Sequence, residues 1–130
     1  MSRIGILLCH ANLAGELLKT TEKILGYTES LYSFSNDRIT PELLFEEVGR
    51  FVREKAADEV VVLVDLRGGN CWKVGCRLWQ EFSQIRVLSG VNLPMIVSFI
   101  TKFRTQPFEK FVEIIEQDAH RGIVLDKPGN

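Results

Sequence analysis

The chain has 130 residues, with sixteen basic side chains against seventeen acidic ones, a formal net charge of -1 and 45% hydrophobic content. That size and apolar content suit one domain, residues 1–130, around one continuous core, and the near-neutral balance supplies no overall field for nucleic acid or an anionic membrane. The apolar runs, such as Val60 to Val64, are too short to span a bilayer, and the start lacks the basic and long apolar stretches of a signal peptide, so a cytoplasmic protein is expected.

Arg3 to Cys9 is a compact apolar run and reads as a strand. Leu13, Leu17, Thr21 and Ile24 then recur at helical spacing until Gly26. Leu31 to Phe34 alternates weakly and predicts a second strand. Thr40 and Pro41 form a cap and first-turn pair for a second helix, whose buried face is Leu44, Val48, Phe51 and Val52 and which ends in the polar Lys55 to Glu59 segment. Val60 to Val64 is apolar throughout, as expected of a parallel strand covered on both faces. A turn with Gly68 and Gly69 follows, and Val74, Leu78 and Phe82 mark a third helix. Arg86 to Ser89 reads as a short strand, Pro94 to Ile100 as a fourth helix, and Phe108, Phe111, Val112 and Ile115 as the stripe of a fifth that stops at Gly122. Ile123 to Leu125 predicts a last short strand, and Lys127 to Asn130 a loose tail.

Strands alternating with helices imply an α/β, doubly wound, mainly parallel sheet with right-handed crossovers and helices on both faces. If the second and third strands lie on opposite sides of the first, the loops after strands one and three part to leave a crevice where ligand chemistry is expected. Those strand ends carry Cys9 and His10, and Asp65 with its glycine turn. One ring nitrogen of an imidazole there can act as a nucleophile toward phosphorus while the other donates its proton to a carboxylate such as Asp65. Phosphate oxygens would need donors, which the first helix start at Ala11, Asn12 and Leu13 and the amides of Gly68, Gly69 and Asn70 can supply. Singly, each residue has an ordinary use: packing for the histidine, turn capping for the aspartate, a tight turn for the glycines. Their joint placement at one switch point is what suggests chemistry.

Three blocks in order, I-L-L-C-H-A-N-L-A-G-E-L-L-K-T at Ile6 to Thr20, V-L-V-D-L-R-G-G-N at Val62 to Asn70 and V-L-S-G-V-N-L-P-M at Val87 to Met95, resemble the mannose-type enzyme IIA proteins of the bacterial sugar phosphotransferase system. The resemblance implies a phosphorylated histidine at His10, a supporting aspartate at Asp65, and the Gly90 to Met95 block beside them. It further implies a phosphoryl carrier that needs no cofactor, takes phosphate from the phosphocarrier HPr and passes it to a IIB protein or domain, with association with a membrane sugar permease complex. A homodimer in which the last strand is exchanged, antiparallel, is also implied. The chain departs from the family at Cys9, Ala11, Asn70 and Cys71, where Ser or Thr, Gly, Ser and Pro are usual. Asn70 can still donate to phosphate, and Arg67 can pair with it.

Other readings use the same residues. A regulatory module would keep the fold and the charge switch at His10 but control a partner instead of sugar transport. Zinc at His10, Cys9 and Cys71 has no C-x-x-C signature behind it, and His120 lies in a separate helix, so no metal is expected. Three cysteines without repeated spacing, counting Cys76, predict reduced thiols; a helix start near Cys71 favours a reactive thiolate, while a buried inert cysteine is the commoner case. Trp72 and Trp79, seven residues apart, share a helical face for core, dimer or partner packing, and Arg77, Lys102 and Arg104 add local positive charge.

Overall fold

The computed structural model describes residues 2–105 and 107–129. Four strands, β1 (Arg3–Cys9), β2 (Leu31–Ser35), β3 (Glu59–Val64) and β4 (Ile85–Ser89), alternate with α1 (Leu13–Leu25), α2 (Pro41–Lys55), α3 (Asn70–Glu81) and α4 (Leu93–Thr101), and α5 (Phe108–Arg121) follows. All strand pairs are parallel, in the order β2-β1-β3-β4. The chain therefore leaves β1 toward one side for β2 and returns to the other side for β3. This is the arrangement that opens a crevice at the carboxyl ends of β1 and β3.

Strand parity divides the core into two layers. Ile4, Ile6, Leu8, Val60, Val62 and Val64 pack with Leu44, Val48 and Val52 of α2 and Val74 and Leu78 of α3. Leu7, Cys9, Val61 and Leu63 face the other way, onto α1, α4 and α5 through Ala14, Ile96, Phe99, Phe111 and Ile115. Both central strands are buried along nearly their whole length, which is why their sequences show no alternation. Thr40 caps α2, its hydroxyl accepting from the Leu43 amide at 3.2 Å, and Pro41 fills the first turn. Asn92 caps α4 in the same way through the Met95 amide at 2.9 Å, and its side-chain nitrogen donates to the Ala119 carbonyl of α5 at 3.1 Å.

Two features depart from the plain sequence pattern. The buried face of α1 is Ala14 and Thr21, with Leu17, Leu18 and Leu25 partly buried, whereas Leu13 and Ile24 are 43% and 57% exposed. The stripe is rotated because α1 packs on both the sheet and α4, so its contact arc is centred between Leu17 and Leu18. Ile123 to Leu125 forms no strand within the described chain; all three side chains are exposed, and β4 is hydrogen-bonded on one side only, to β3. A strand needs a neighbouring backbone to satisfy its amides, and this segment has none here. Residues 127–129 carry no helix or strand, and Asn130, the end of the expected tail, lies outside the described residues.

Gly5 shows how closely β1 is pressed by α4. A Cβ there would lie 2.6 Å from Phe99 Cζ and 2.8 Å from Leu31 Cδ1. Gly5→Ala is expected to destabilise the fold by about 1–3 kcal/mol through overpacking, read as a lower urea midpoint with an unchanged slope.

Candidate functional site

Leu8 of β1 pairs with Val64 of β3, so the residues just beyond these strand ends come together. His10 and Asp65 meet there. The His10 backbone N–H donates to Asp65 Oδ2 at 2.9 Å, and ring Nδ1 lies 2.9 Å from Oδ2 and 3.2 Å from Oδ1. The Leu66 amide donates to Oδ1 at 3.0 Å. An ionised carboxylate can only accept, which assigns the proton to Nδ1 and leaves the Nε2 lone pair free. The Asp65 side chain is 12% exposed and that of His10 41%, so the ring is anchored on its buried side and open on the other. Burial pushes the Asp65 carboxyl up, but the hydrogen bonds from the His10 amide and ring, with the positive charge the ring carries when protonated, outweigh it and hold the group below the ordinary carboxylate range.

The glycine turn is packed against the imidazole. Gly68 has φ +88°, a conformation that favours glycine, and Gly69 is the residue before α3. A Cβ on Gly69 would approach His10 Cε1 to 3.1 Å, the Leu66 carbonyl oxygen to 3.2 Å and His10 Nε2 to 3.7 Å. The open end of α3 is thereby set beside Nε2. No side chain caps this helix, and its first backbone bond runs from Lys73 N–H to the Gly69 carbonyl at 3.0 Å. The amides of Asn70, Cys71 and Trp72 precede that bond and have no intrahelical acceptor, the usual setting for an anion. Gly69→Ala is expected to slow any reaction at Nε2 about tenfold by displacing the ring, with unfolding changed by less than about 1 kcal/mol since the backbone at Gly69 suits any residue. Parallel rate and melting measurements check this.

The six expected phosphate-contacting residues differ in what they have to offer. The Gly69 amide already donates to the Leu66 carbonyl at 3.1 Å, the Leu13 amide to the His10 carbonyl at 3.2 Å, and the Ala11 amide to Asn36 Oδ1 at 3.2 Å. The Asn70 amide stands at the open helix end, and its side chain shares a cavity of about 120 Å³ with Asn36. Asn12 precedes α1 without a side-chain capping bond. Asn36, and Ser35 before it, were not singled out by the sequence reading. Their signal was a polar S-N-D run at the end of the strand neighbouring the one that carries His10.

Among the described residues, one group could hold a metal: donor atoms of His10, Asp65 and Cys71 lie within 4.8 Å of one another. Nδ1 already donates to Asp65, so a metal would be met by Nε2 with that bond kept, or by Nδ1 only if the bond were broken. Burial and the Asp65 charge push the Cys71 thiol up to about 11. Cys9 lies on the opposite face of the sheet, and burial, with Asp65 and Cys71, pushes its thiol up to about 12. Protonated, enclosed thiols suit packing better than nucleophilic or metal chemistry.

Trp72 is partly buried against the core, Trp79 is 53% exposed, and both line a groove of about 630 Å³ with Arg67, Arg86 and Val112. Arg67 stands over the Trp72 ring, 5.7 Å from its centre, and Arg77 over the Phe45 ring at 4.0 Å. Lys102 pairs with Asp118, which also accepts from Ser98. No helix among the described residues is long and apolar enough to cross a membrane.

Comparison with known proteins gives consistent relatives. The chain is 27% identical over 122 residues to the sorbose-specific EIIA component of the PTS system of Klebsiella pneumoniae, covering 93% of this chain and 90% of that one. It is 26% identical over 117 residues to the mannose-specific EIIAB component of the PTS system of Escherichia coli K12, covering 88% of this chain but only 36% of that protein's length. The crystal structure of phosphotransferase system component EIIA from Streptococcus agalactiae superposes with a TM-score of 0.85 at 26% identity, covering 94% of this chain and 95% of that one. The family model described as PTS system fructose IIA component matches residues 5–116. With most of its length inside that match and the same fold, the chain belongs to the mannose-type enzyme IIA family of sugar phosphotransferase system components.

Proposed function

We propose that the chain is a phosphoryl carrier that accepts phosphate from phospho-HPr on His10 Nε2 and passes it to a IIB protein or domain, in the cytoplasm beside a membrane sugar permease complex. The observation that carries this reading is the Nδ1–Asp65 bond at 2.9 Å, which leaves Nε2 as the nucleophile facing the uncapped start of α3. In the transfer, the Nε2 lone pair forms a bond to phosphorus as the donor's phosphorus–nitrogen bond breaks. The Nδ1 proton stays in place, shared with Asp65, whose charge balances the cationic ring. The amides of Asn70, Cys71 and Trp72 are positioned to receive phosphoryl oxygens. The reverse step, onto a IIB acceptor, uses the same groups.

The test is incubation with enzyme I, HPr and phosphoenolpyruvate, followed by intact mass and peptide mapping. One acid-labile phosphate on the His10 peptide is expected, and it should leave on addition of a IIB domain. No incorporation by folded protein in the presence of phosphorylated HPr would overturn the reading. Phosphate that forms but is never passed on would favour the regulatory alternative.

A homodimer belongs to the same proposal. The exposed Ile123, Val124 and Leu125 offer an apolar segment, and the unpaired side of β4 offers a backbone edge to receive it from a second copy. Sedimentation analysis of the full chain and of one ending at Gly122 checks this: dimers for the first and monomers for the second are expected.

A further inference from the structure

The turn that carries His10 is held in an unusual backbone conformation by two side chains from the neighbouring strand end. Ala11 has φ +50°, a region that side-chain-bearing residues rarely adopt. Both of its backbone polar groups are gripped. Its N–H donates to Asn36 Oδ1 at 3.2 Å, and its carbonyl accepts from Ser35 Oγ at 2.6 Å. A third bond runs from the Asn36 N–H to the Cys9 carbonyl at 3.3 Å. His10 is thus flanked on both sides by bonds to residues 35 and 36, while its own N–H goes to Asp65, just past the end of β3 on the other side of β1. Ser35 Oγ also accepts from the Asp37 amide at 2.9 Å, which fixes the direction of its hydroxyl proton toward Ala11.

We infer that Ser35 and Asn36 are positioning residues for His10, a clasp that keeps Ala11 in the left-handed region and so aims Nε2 at the start of α3. The inference rests on the carrier reading of His10. Without the clasp, Ala11 returns toward negative φ, where alanine is unstrained. The chain then leaves His10 in a different direction, and the ring loses its seat between Asp65 and Gly69. Neither side chain touches the transferred group; both act through the Ala11 peptide.

The test compares wild type, Ser35→Ala, Asn36→Ala and the double variant, each with Ala11 and in an Ala11→Gly background. Two readouts are used: single-turnover phosphate transfer from phospho-HPr, and ring ¹⁵N shifts of His10 in the unphosphorylated protein. The double variant is expected to transfer about tenfold more slowly, with its Nδ1–H signature weakened and the apparent affinity for phospho-HPr little changed. In the Ala11→Gly background the same deletion should cost less than about threefold, because glycine enters the left-handed region without being held. Ser35→Thr, which keeps the hydroxyl, should transfer at the wild-type rate. A double variant with wild-type transfer and unchanged ring shifts overturns the clasp, as does an equal loss in both backgrounds. If the double variant does not fold, the single variants decide by the same criteria. Should wild type itself take no phosphate, the carrier reading fails, while the ring shifts still decide whether Ser35 and Asn36 orient His10.

Discussion

His10→Ala is expected to lose all acid-labile phosphate while keeping the fold. The ring is 41% exposed, and its hydrogen-bonding nitrogen meets only Asp65, so removing it opens no large cavity. Unfolding should shift by no more than about 1 kcal/mol, as for other partly exposed positions. Asp65 keeps two backbone donors after the change, the His10-position amide and the Leu66 amide, so the carboxylate is not stranded. The combination of complete loss of incorporation, unchanged circular dichroism and a small change in melting separates a nucleophile from a packing residue. Residual incorporation at an unchanged level would move the nucleophile elsewhere.

Asp65→Asn is expected to reduce transfer by roughly 10²- to 10⁴-fold with little change in side-chain volume. Oδ2 accepts from both the His10 amide and Nδ1, and Oδ1 accepts from the Leu66 amide. Every contact around the carboxylate is therefore a donor. An asparagine has one oxygen to offer, so its NH₂ group must face either a backbone amide or Nδ1. The second arrangement favours the ring tautomer with the proton on Nε2, which has no lone pair for phosphorus. Ring ¹⁵N shifts should show that exchange of tautomers, alongside the fall in rate.

The same substitution carries a pH signature. Because the folded environment holds Asp65 below the ordinary carboxylate range, its ionised form adds stability that is fully present above the unfolded value, about 3.9. That contribution is lost as pH falls through the lower, folded value. Wild type should therefore lose stability on acidification over this window, whereas Asp65→Asn should lack this component. Urea midpoints measured from about pH 6 downward should converge as the pH falls below about 4. Parallel curves throughout would mean that the Asp65 charge contributes nothing to the folded state.

Much of this arrangement was legible before any coordinates. Val60 to Val64 and Arg3 to Cys9 announce buried parallel strands because a strand covered on both faces has no solvent side to mark with polar residues. Thr40–Pro41 announces a helix start because a side-chain acceptor and a proline solve the problem of unpaired first-turn amides locally, and Pro94 marks the first turn of the fourth helix, whose Asn92 cap only the structure shows. His10 and Asp65 stood out because each directly follows such a strand.

Other features were hidden for equally physical reasons. The burial of α1 around Leu17 and Leu18 depends on which neighbours it packs between, and helical spacing alone leaves that rotation free within a broad arc. Ile123 to Leu125 has strand-like composition, yet pairing is a property of two backbones and only one is present in the described chain. The amide inventory was also out of reach, since Ala11, Leu13 and Gly69 direct their N–H groups to acceptors fixed by loop geometry.

The sequence by itself determined the alternation of strands and helices and the histidine and aspartate at two strand ends, because these follow from local hydrophobic pattern and residue chemistry. Only the tertiary structure decided that β1 and β3 lie side by side, that Asp65 takes the Nδ1 side of His10, and that Ser35 and Asn36 hold Ala11 at φ +50°. Those outcomes join residues 24 to 56 positions apart, and such contacts exist only once the crossovers have brought the strands and their loops together in the sheet.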